Sequence, residues 1–264
     1  MASQRRGGQT VSGHTEILSL RSVGHSFGGF SVLKNVNFSV PHGSIVGLIG
    51  PNGSGKTTLF NVISGYIRHQ HGLVAYDGHN MQAESIQARS SAGLVRTFQT
   101  PKVFEQMTVL ENIMAGACKL TRSGVIEDIF SLPRSRADMR RIFELAEEAC
   151  LKFGMEKLRH DLALRLPAGQ RRVLEIARAV IGRPRLLMLD EPSSGLNTNE
   201  IASLRRWIEQ LRAEGIAILL VSHDMELMTV ADCVHVLYFG EIIASGGMDE
   251  IQKNTQVREV YLGA

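Results

Sequence analysis

Apolar positions along this chain change period several times, and each change predicts an element. Val36 to Val40 alternates apolar with polar, the mark of a half-buried strand. Ile45-Val46-Gly47-Leu48-Ile49 is apolar throughout and reads as a buried strand, with a helix expected over Thr57 to Ile63. Leu73-Val74-Ala75-Tyr76 runs into Asp77-Gly78, a hairpin signal. The first third is therefore expected to hold several strands, some antiparallel. From Thr108 to about Phe153 strand signals vanish, and Ile142, Leu145, Ala146, Ala149 and Phe153 recur at helical spacing. This predicts a helical subdomain over about 100–168. Thr121 to Arg136 contains Gly124 and Pro133 and is expected to be an irregular connection with a short helix at Val125–Phe130.

Beyond Gln170 the pattern is helical again, with Val173, Ile176, Ala177, Val180 and Ile181 on one face and Gly182-Arg183-Pro184 as the stop. Three apolar strands follow, Leu186–Leu189, Ile216–Val221 and Val234–Phe239, alternating with helices. That alternation predicts a parallel sheet with helices on its faces. Met248 to Leu262 reads as one or two short helices. There is no internal repeat.

Composition narrows the picture only a little. The 264 residues are 44% hydrophobic and 21% charged, enough for a sizeable core. No apolar run approaches the roughly 18 residues that span a bilayer. Arg5 and Arg6 are followed by polar residues, so no signal peptide is expected and the protein should remain in the cytosol. Residues 1–15 are rich in Gly, Ser, Gln and Arg and are expected to be a disordered tail. Residues 16–264 are expected to form a single domain. Cys118, Cys150 and Cys233 are few and far apart, which suits reduced, mostly buried thiols. A net charge of +3 is too mild to argue for nucleic acid.

The most informative segment is Gly50-Pro51-Asn52-Gly53-Ser54-Gly55-Lys56-Thr57-Thr58, which fits the phosphate-loop pattern G-x-x-x-x-G-K-[ST]. A strand before it and a helix after it supply the context the motif needs. Its glycines let backbone N–H groups curl around a polyphosphate, and the helix N-terminus favours negative charge. Lys56 can reach the outer phosphates, and the Thr57 hydroxyl can ligate Mg²⁺. Leu186 to Leu189 ends in Asp190 and Glu191. Carboxylates at the carboxyl end of a strand sit where α/β sheets bind ligands. Asp190 can hold Mg²⁺ through water, and Glu191 can accept a proton from an attacking water.

Across Ile17 to Leu262 the chain resembles the ATP-binding subunit of ABC transporters. The resemblance implies an α/β fold of the P-loop NTPase, ABC ATPase type: a mixed, largely parallel sheet core with an antiparallel β subdomain and a helical subdomain. Phe27 stands where the family places an aromatic that stacks on adenine, although a core Phe would read the same way. Arg96-Thr97-Phe98-Gln99 looks like the Q-loop, whose Gln contacts Mg²⁺ and water. Leu166-Pro167-Ala168-Gly169-Gln170 occupies the signature position, Ser194-Gly195-Leu196-Asn197 matches the D-loop, and Val221-Ser222-His223-Asp224 matches the H-loop, whose His contacts the γ-phosphate. The resemblance therefore implies ATP and Mg²⁺. Glu191, His223 and Gln99 are the expected catalytic residues. The loop 50–58, Phe27, Gly169 and Gln170 are expected to bind nucleotide, and Thr57, Gln99 and Asp190 to face the metal.

Two departures stand out. Pro167 replaces the signature Ser, removing a hydroxyl and an N–H. A hydrogen bond to a charged group is worth about 1.5–3 kcal/mol, so a site completed by this signature is expected to be weaker. Asn197 replaces the usual D-loop Asp and cannot act as a charged partner. In the family two cassettes close over ATP, each signature facing the other chain's phosphate loop. The expectation here is an asymmetric pair with a different cassette. Arg96 to Gln99, Phe104 to Asn112, the stretch near 121–140 and Val260-Tyr261-Leu262-Gly263 look like the branched-chain amino acid uptake group. That group implies two integral-membrane permeases, a periplasmic or extracellular solute-binding protein, and a position on the inner face of the membrane. One rival is a lipid or lipopolysaccharide transport ATPase. Another is a nucleic-acid or ribosome-associated ABC ATPase, which lacks support because the chain has no coiled-coil insertion, second cassette or zinc-type cysteines.

Overall fold

A computed structural model describes residues 15–117 and 133–262. Most of the expected N-terminal tail, the helix expected at Val125–Phe130, Cys118 and Gly263 lie outside the described residues. Two sheets dominate. The first is antiparallel, in the order β2-β1-β4-β5, built from β1 (Glu16–Phe27), β2 (Phe30–Pro41), β4 (His71–Tyr76) and β5 (His79–Asn80). The hairpin expected at Asp77-Gly78 joins β4 to β5, with Tyr76 opposite His79 and Asp77 at φ 50°. The second sheet has the order β10-β9-β3-β8-β7-β6. Its members are β3 (Ile45–Ile49), β6 (Leu94–Arg96), β7 (Leu186–Asp190), β8 (Ala217–Val221), β9 (Cys233–Tyr238) and β10 (Glu241–Gly246). Neighbours from β6 to β9 are parallel, and only the edge strand β10 is antiparallel.

The pleat of the second sheet divides the core in two. Ile45, Ile49, Leu187, Leu189, Ile218 and Leu220 face one cluster. Val46, Leu48, Leu186, Met188, Leu219 and Val221 face the other. This is the period-2 consequence of burying a strand on both faces. The second cluster also takes Leu59, Phe60, Val62 and Ile63 of α1 (Lys56–Ser64) and the inner face of the antiparallel sheet. Helix α1 is therefore held between the two sheets. A short helix, α2 (Ile86–Ser91), leads into β6.

Helices cover the opposite face: α3 (Val109–Gly116), α4 (Pro133–Lys152), α5 (Ala168–Ile181) and α6 (Thr198–Ala213). Ile142, Ala146, Ala149 and Phe153 are buried there, as their spacing predicts. Gly116 packs so closely on α5 that an added Cβ would overlap the Arg178 carbonyl oxygen. Helix α5 begins at Ala168, before the expected start, so Gly169 and Gln170 lie in its first turn. Short helices α7 (Met225–Met228), α8 (Met248–Lys253) and α9 (Thr255–Leu262) follow among the described residues. Cys150 is a buried free thiol, pushed up to about 11 by burial and Glu147, and Cys233 is free and half-buried.

Candidate nucleotide site

The loop after β3 is shaped by the backbone rather than by side chains. Gly53 and Gly55 have φ of 81° and 108°, a region that favours glycine. A Cβ on Gly50 would overlap the Leu237 carbonyl oxygen. Ser54 N–H donates to the Pro51 oxygen at 3.2 Å, and the Gly240 N–H donates to the Ser54 oxygen at 3.0 Å. Gly240 in turn accepts from the Lys34 N–H at 2.8 Å. Loop, β9–β10 turn and β2 thus form one hydrogen-bonded stack. Gly55 caps α1 in a left-handed conformation with no side-chain cap, leaving the first N–H groups of the helix for a ligand.

A cleft of about 360 Å³ opens over this loop. Asn52 to Thr58, Gln99, Asp190 and Glu191 line it, joined by Val32 and Val221. Expected residues about 130 positions apart thus converge on one cavity. Lys56 Nζ donates to the Gly50 oxygen at 2.6 Å and the Pro51 oxygen at 3.0 Å. Burial pulls its pKa below the ordinary lysine value, an effect opposed by Glu191 and Asp190. Glu191 has φ 50°. Its Oε2 lies 2.7 Å from His223 Nδ1 and accepts from the His223 N–H at 3.3 Å. His223 is itself exposed, and buried Ser193 and Ser222 join the segments carrying Glu191 and His223 through hydroxyls 3.1 Å apart.

The donors facing the cleft are a hydroxyl at Thr57, an amide at Gln99 and a carboxylate at Asp190. Hard oxygen ligands of this kind suit Mg²⁺ that arrives with phosphates and keeps several waters. Among the described residues no group of three or more His, Cys, Asp or Glu could hold a metal by itself. The buried Ser54 hydroxyl oxygen has no protein partner and faces the same loop. The residues therefore fit a nucleotide-borne Mg²⁺ and do not form a preformed metal cage.

Gly50, Pro51 and His223 do not line the cleft but adjoin it through Lys56 and Glu191, whereas Phe27, Gly169 and Gln170 lie apart from it. Phe27 is 50% exposed and packs edge-on against His25, with centroids 4.6 Å apart, so it is not a core Phe. Gly169 and Gln170 do not line the cleft. Gly169 packs near Leu196 and Glu200, and Gln170 lines a separate hollow with Asn197 and Trp207. Pro167 supplies no side-chain cap to α5. Asn197 does cap α6: it accepts from the Glu200 N–H at 3.1 Å while Glu200 accepts from the Asn197 N–H at 2.8 Å. An Asp there would cap equally well, so the Asn keeps the capping function without the charge.

Two further groups of contacts, around Arg96 and around Arg172–Glu175, were not legible in the sequence. Arg96 donates to Asp190 from behind the cleft at 2.8 Å. Arg172 of α5, 2% exposed, donates to the Phe98 and Gln99 carbonyls. Glu175, also 2% exposed, accepts from the Lys102 N–H at 3.0 Å and the Phe98 N–H at 3.3 Å. The helix whose first turn carries Gly169 and Gln170 therefore grips the backbone of Gln99. Arg96 was visible only as a motif member, and the Arg172–Glu175 spacing resembles any i,i+3 surface pair.

A family model described as ABC transporter matches residues 33–194, and a second, described as branched-chain amino acid ATP-binding cassette transporter, matches residues 241–264. The high-affinity branched-chain amino acid transport ATP-binding protein BraF of Pseudomonas aeruginosa is 36% identical over 94% of this chain and 98% of its own. The lipopolysaccharide export system ATP-binding protein LptB of Haemophilus influenzae is 30% identical over 94% and 97%. The crystal structure of a nucleotide-free ATP-binding cassette from an ABC transporter superposes with a TM-score of 0.81 at 30% identity, covering 94% of this chain and all of that one.

Proposed function

This chain belongs to the ABC transporter ATP-binding family and hydrolyses ATP as the motor subunit of a transporter, and we propose that it powers uptake of branched-chain amino acids or closely related small polar solutes. The observation that carries this reading is the C-terminal match, residues 241–264, to the branched-chain model, in addition to the family match over 33–194. The lipopolysaccharide-type reading has the similarity to LptB in its favour but not that C-terminal match. Nucleic-acid partners have no feature in their favour.

In this reading the loop 50–58 wraps the phosphates, Lys56 exchanges its carbonyl partners for phosphate oxygens, and Phe27 stacks on the base. Glu191 accepts the proton of the attacking water, and His223, already joined to Glu191, meets the γ-phosphate. Thr57, Asp190 and Gln99 hold Mg²⁺, which neutralises charge on the phosphates when bound. Gly169 and Gln170 serve the other chain's nucleotide. Their place outside this chain's own cleft supports that division. A single cassette leaves the γ-phosphate wet, and a second cassette excludes water and adds donors. Pro167 supports pairing with a different cassette that carries a stronger signature. The assembly adds two membrane permeases and, indirectly, a solute-binding protein. Among the described residues no helix is long and apolar enough to cross a membrane. In this reading the permeases hold the chain at the inner face. A groove of about 700 Å³ between Phe98, Phe104, Arg178 and Arg183 supports permease docking beside Gln99.

The test is transport. Proteoliposomes holding this chain, its second cassette and the permeases, supplied with the binding protein and ATP, should accumulate labelled leucine, isoleucine or valine. Saturable uptake of an unrelated solute with none of these would sink the substrate assignment and leave the ATPase intact.

A further inference from the structure

Asp190 is engaged before any ligand arrives. Arg96 Nη2 donates to its Oδ2 at 2.8 Å, and the two side chains are only 7% and 8% exposed. The same guanidinium donates through Nη1 to Asn61 Oδ1 at 2.7 Å and Ser64 Oγ at 3.2 Å, both on α1. Phe60 and Phe98 flank it, with ring centroids 5.4 and 5.3 Å away. Its Nε is buried without a partner. Arg96 is thus fixed between β6, β7 and α1. It does not line the phosphate cleft, so it reaches Asp190 from the rear while Asp190 faces the cleft.

The charge inventory around Asp190 is short. Among the described residues, Glu191 and Asp190 are the carboxylates that line the cleft and Lys56 is its lysine, with His223 against Glu191 at 2.7 Å. Arg172 lies within electrostatic reach from α5, already paired with Glu175 at 3.2 Å. With Arg96 present, two carboxylates meet two unshared cations. Without it, the carboxylates outnumber Lys56, and a buried Asp190 would be left uncompensated, a condition that attracts a divalent cation.

We propose that Arg96 is a positioning residue that balances Asp190 until nucleotide brings its own metal, so that the divalent cation enters only with the triphosphate. This rests on the reading of Asp190 as a metal-facing residue. Because Arg96 also holds α1 and adjoins the Phe98-Gln99 segment, it fixes Asp190 relative to both the phosphate loop and Gln99. The arrangement would suppress binding of free metal and let ATP bind without strong dependence on metal.

The experiment uses the purified chain as wild type, R96K and R96M. Mn²⁺ binding without nucleotide is read by electron paramagnetic resonance. Affinity for a fluorescent ATP analogue is read in Mg²⁺ and in EDTA. The wild type should take up no Mn²⁺ alone. R96M should gain nucleotide-free Mn²⁺ binding, and its affinity in EDTA should fall about tenfold or more relative to that in Mg²⁺, as expected when a charged partner is removed. R96K should stay near the wild type. An R96M chain with wild-type Mn²⁺ binding and a wild-type ratio overturns the proposal. If R96M does not fold, R96Q takes its place and the same two outcomes decide. Nucleotide binding indifferent to Lys56→Ala would instead refute the ATP-site reading, so the two failures are distinguishable.

Discussion

Glu191 holds a left-handed backbone, φ 50°, which costs a residue with a Cβ about 1–2 kcal/mol. Its N–H donates to the Val221 oxygen at 2.9 Å, and its carboxylate is held by His223. Strain of this kind persists where surrounding bonds over-determine it. Glu191→Gln should still bind ATP while hydrolysis falls by orders of magnitude, as read by phosphate release. Unchanged turnover would remove Glu191 from the base role. Lys56→Ala should abolish nucleotide binding itself. A third residue governs stability. His235 is buried, with Nδ1 2.6 Å from Ser245 Oγ, and burial pulls its pKa from 6.5 to about 4. The unfolded chain therefore binds the extra proton between those values. The stabilisation is full above about pH 6.5 and is lost as pH falls towards 4, by about 2 kcal/mol at pH 5. Between pH 7 and pH 5 the wild type should lose more of its urea midpoint than His235→Gln, and equal losses would clear His235. The motifs made Lys56 and Glu191 legible because each is a short contiguous pattern. Arg96 was not, since its partners Asn61, Ser64 and Asp190 meet it only through the tertiary fold.

Helix α6 shows what a departure from a motif can retain. Asn197 closes a capping box with Glu200, so Asn197→Ala should cost about 1 kcal/mol in chemical denaturation. Asn197→Asp should be nearly neutral for stability, and a large loss there would show that the cap is not what the residue provides. Helix α5 makes the matching case with charge. Arg172 and Glu175 are buried together and hold four backbone groups of the segment Phe98 to Lys102. Arg172→Met alone should destabilise by about 3–5 kcal/mol, because it leaves Glu175 buried and uncompensated. Adding Glu175→Gln should recover part of that in the same denaturation assay. At this scale the sequence was readable where burial imposes an unbroken apolar run, as in β3 and β7, or a period, as on the apolar face of α5. It misplaced the start of α5, because the turn Ala168-Gly169-Gln170 carries no apolar stripe. It showed nothing of the clamp on Gln99, because Arg and Glu three residues apart ordinarily face water.

The molecule as a whole places the phosphate loop and Gln170 in different hollows, with Gly169 packed near Leu196 and Glu200, and the sequence implied this only through the family resemblance. In the proposed assembly Pro167 makes the two ATP sites unequal. Replacing it with Ser should raise turnover of the assembled transporter only if the partner's phosphate loop faces this signature. The β9–β10 turn has a separate consequence. Gly240 bonds Ser54 on one side and Lys34 on the other, and a Cβ on it would overlap the Val32 carbonyl oxygen. The C-terminal segment matched to the branched-chain model, residues 241–264, therefore begins one residue after a turn that braces the phosphate loop, and its first residue, Glu241, lies 3.8 Å from Lys34 of β2. It is not an appendage that can be exchanged freely between related cassettes. A chimera spliced at Gly247 should inherit a working loop, whereas one spliced at Tyr238 must import a turn fitted to a different β2.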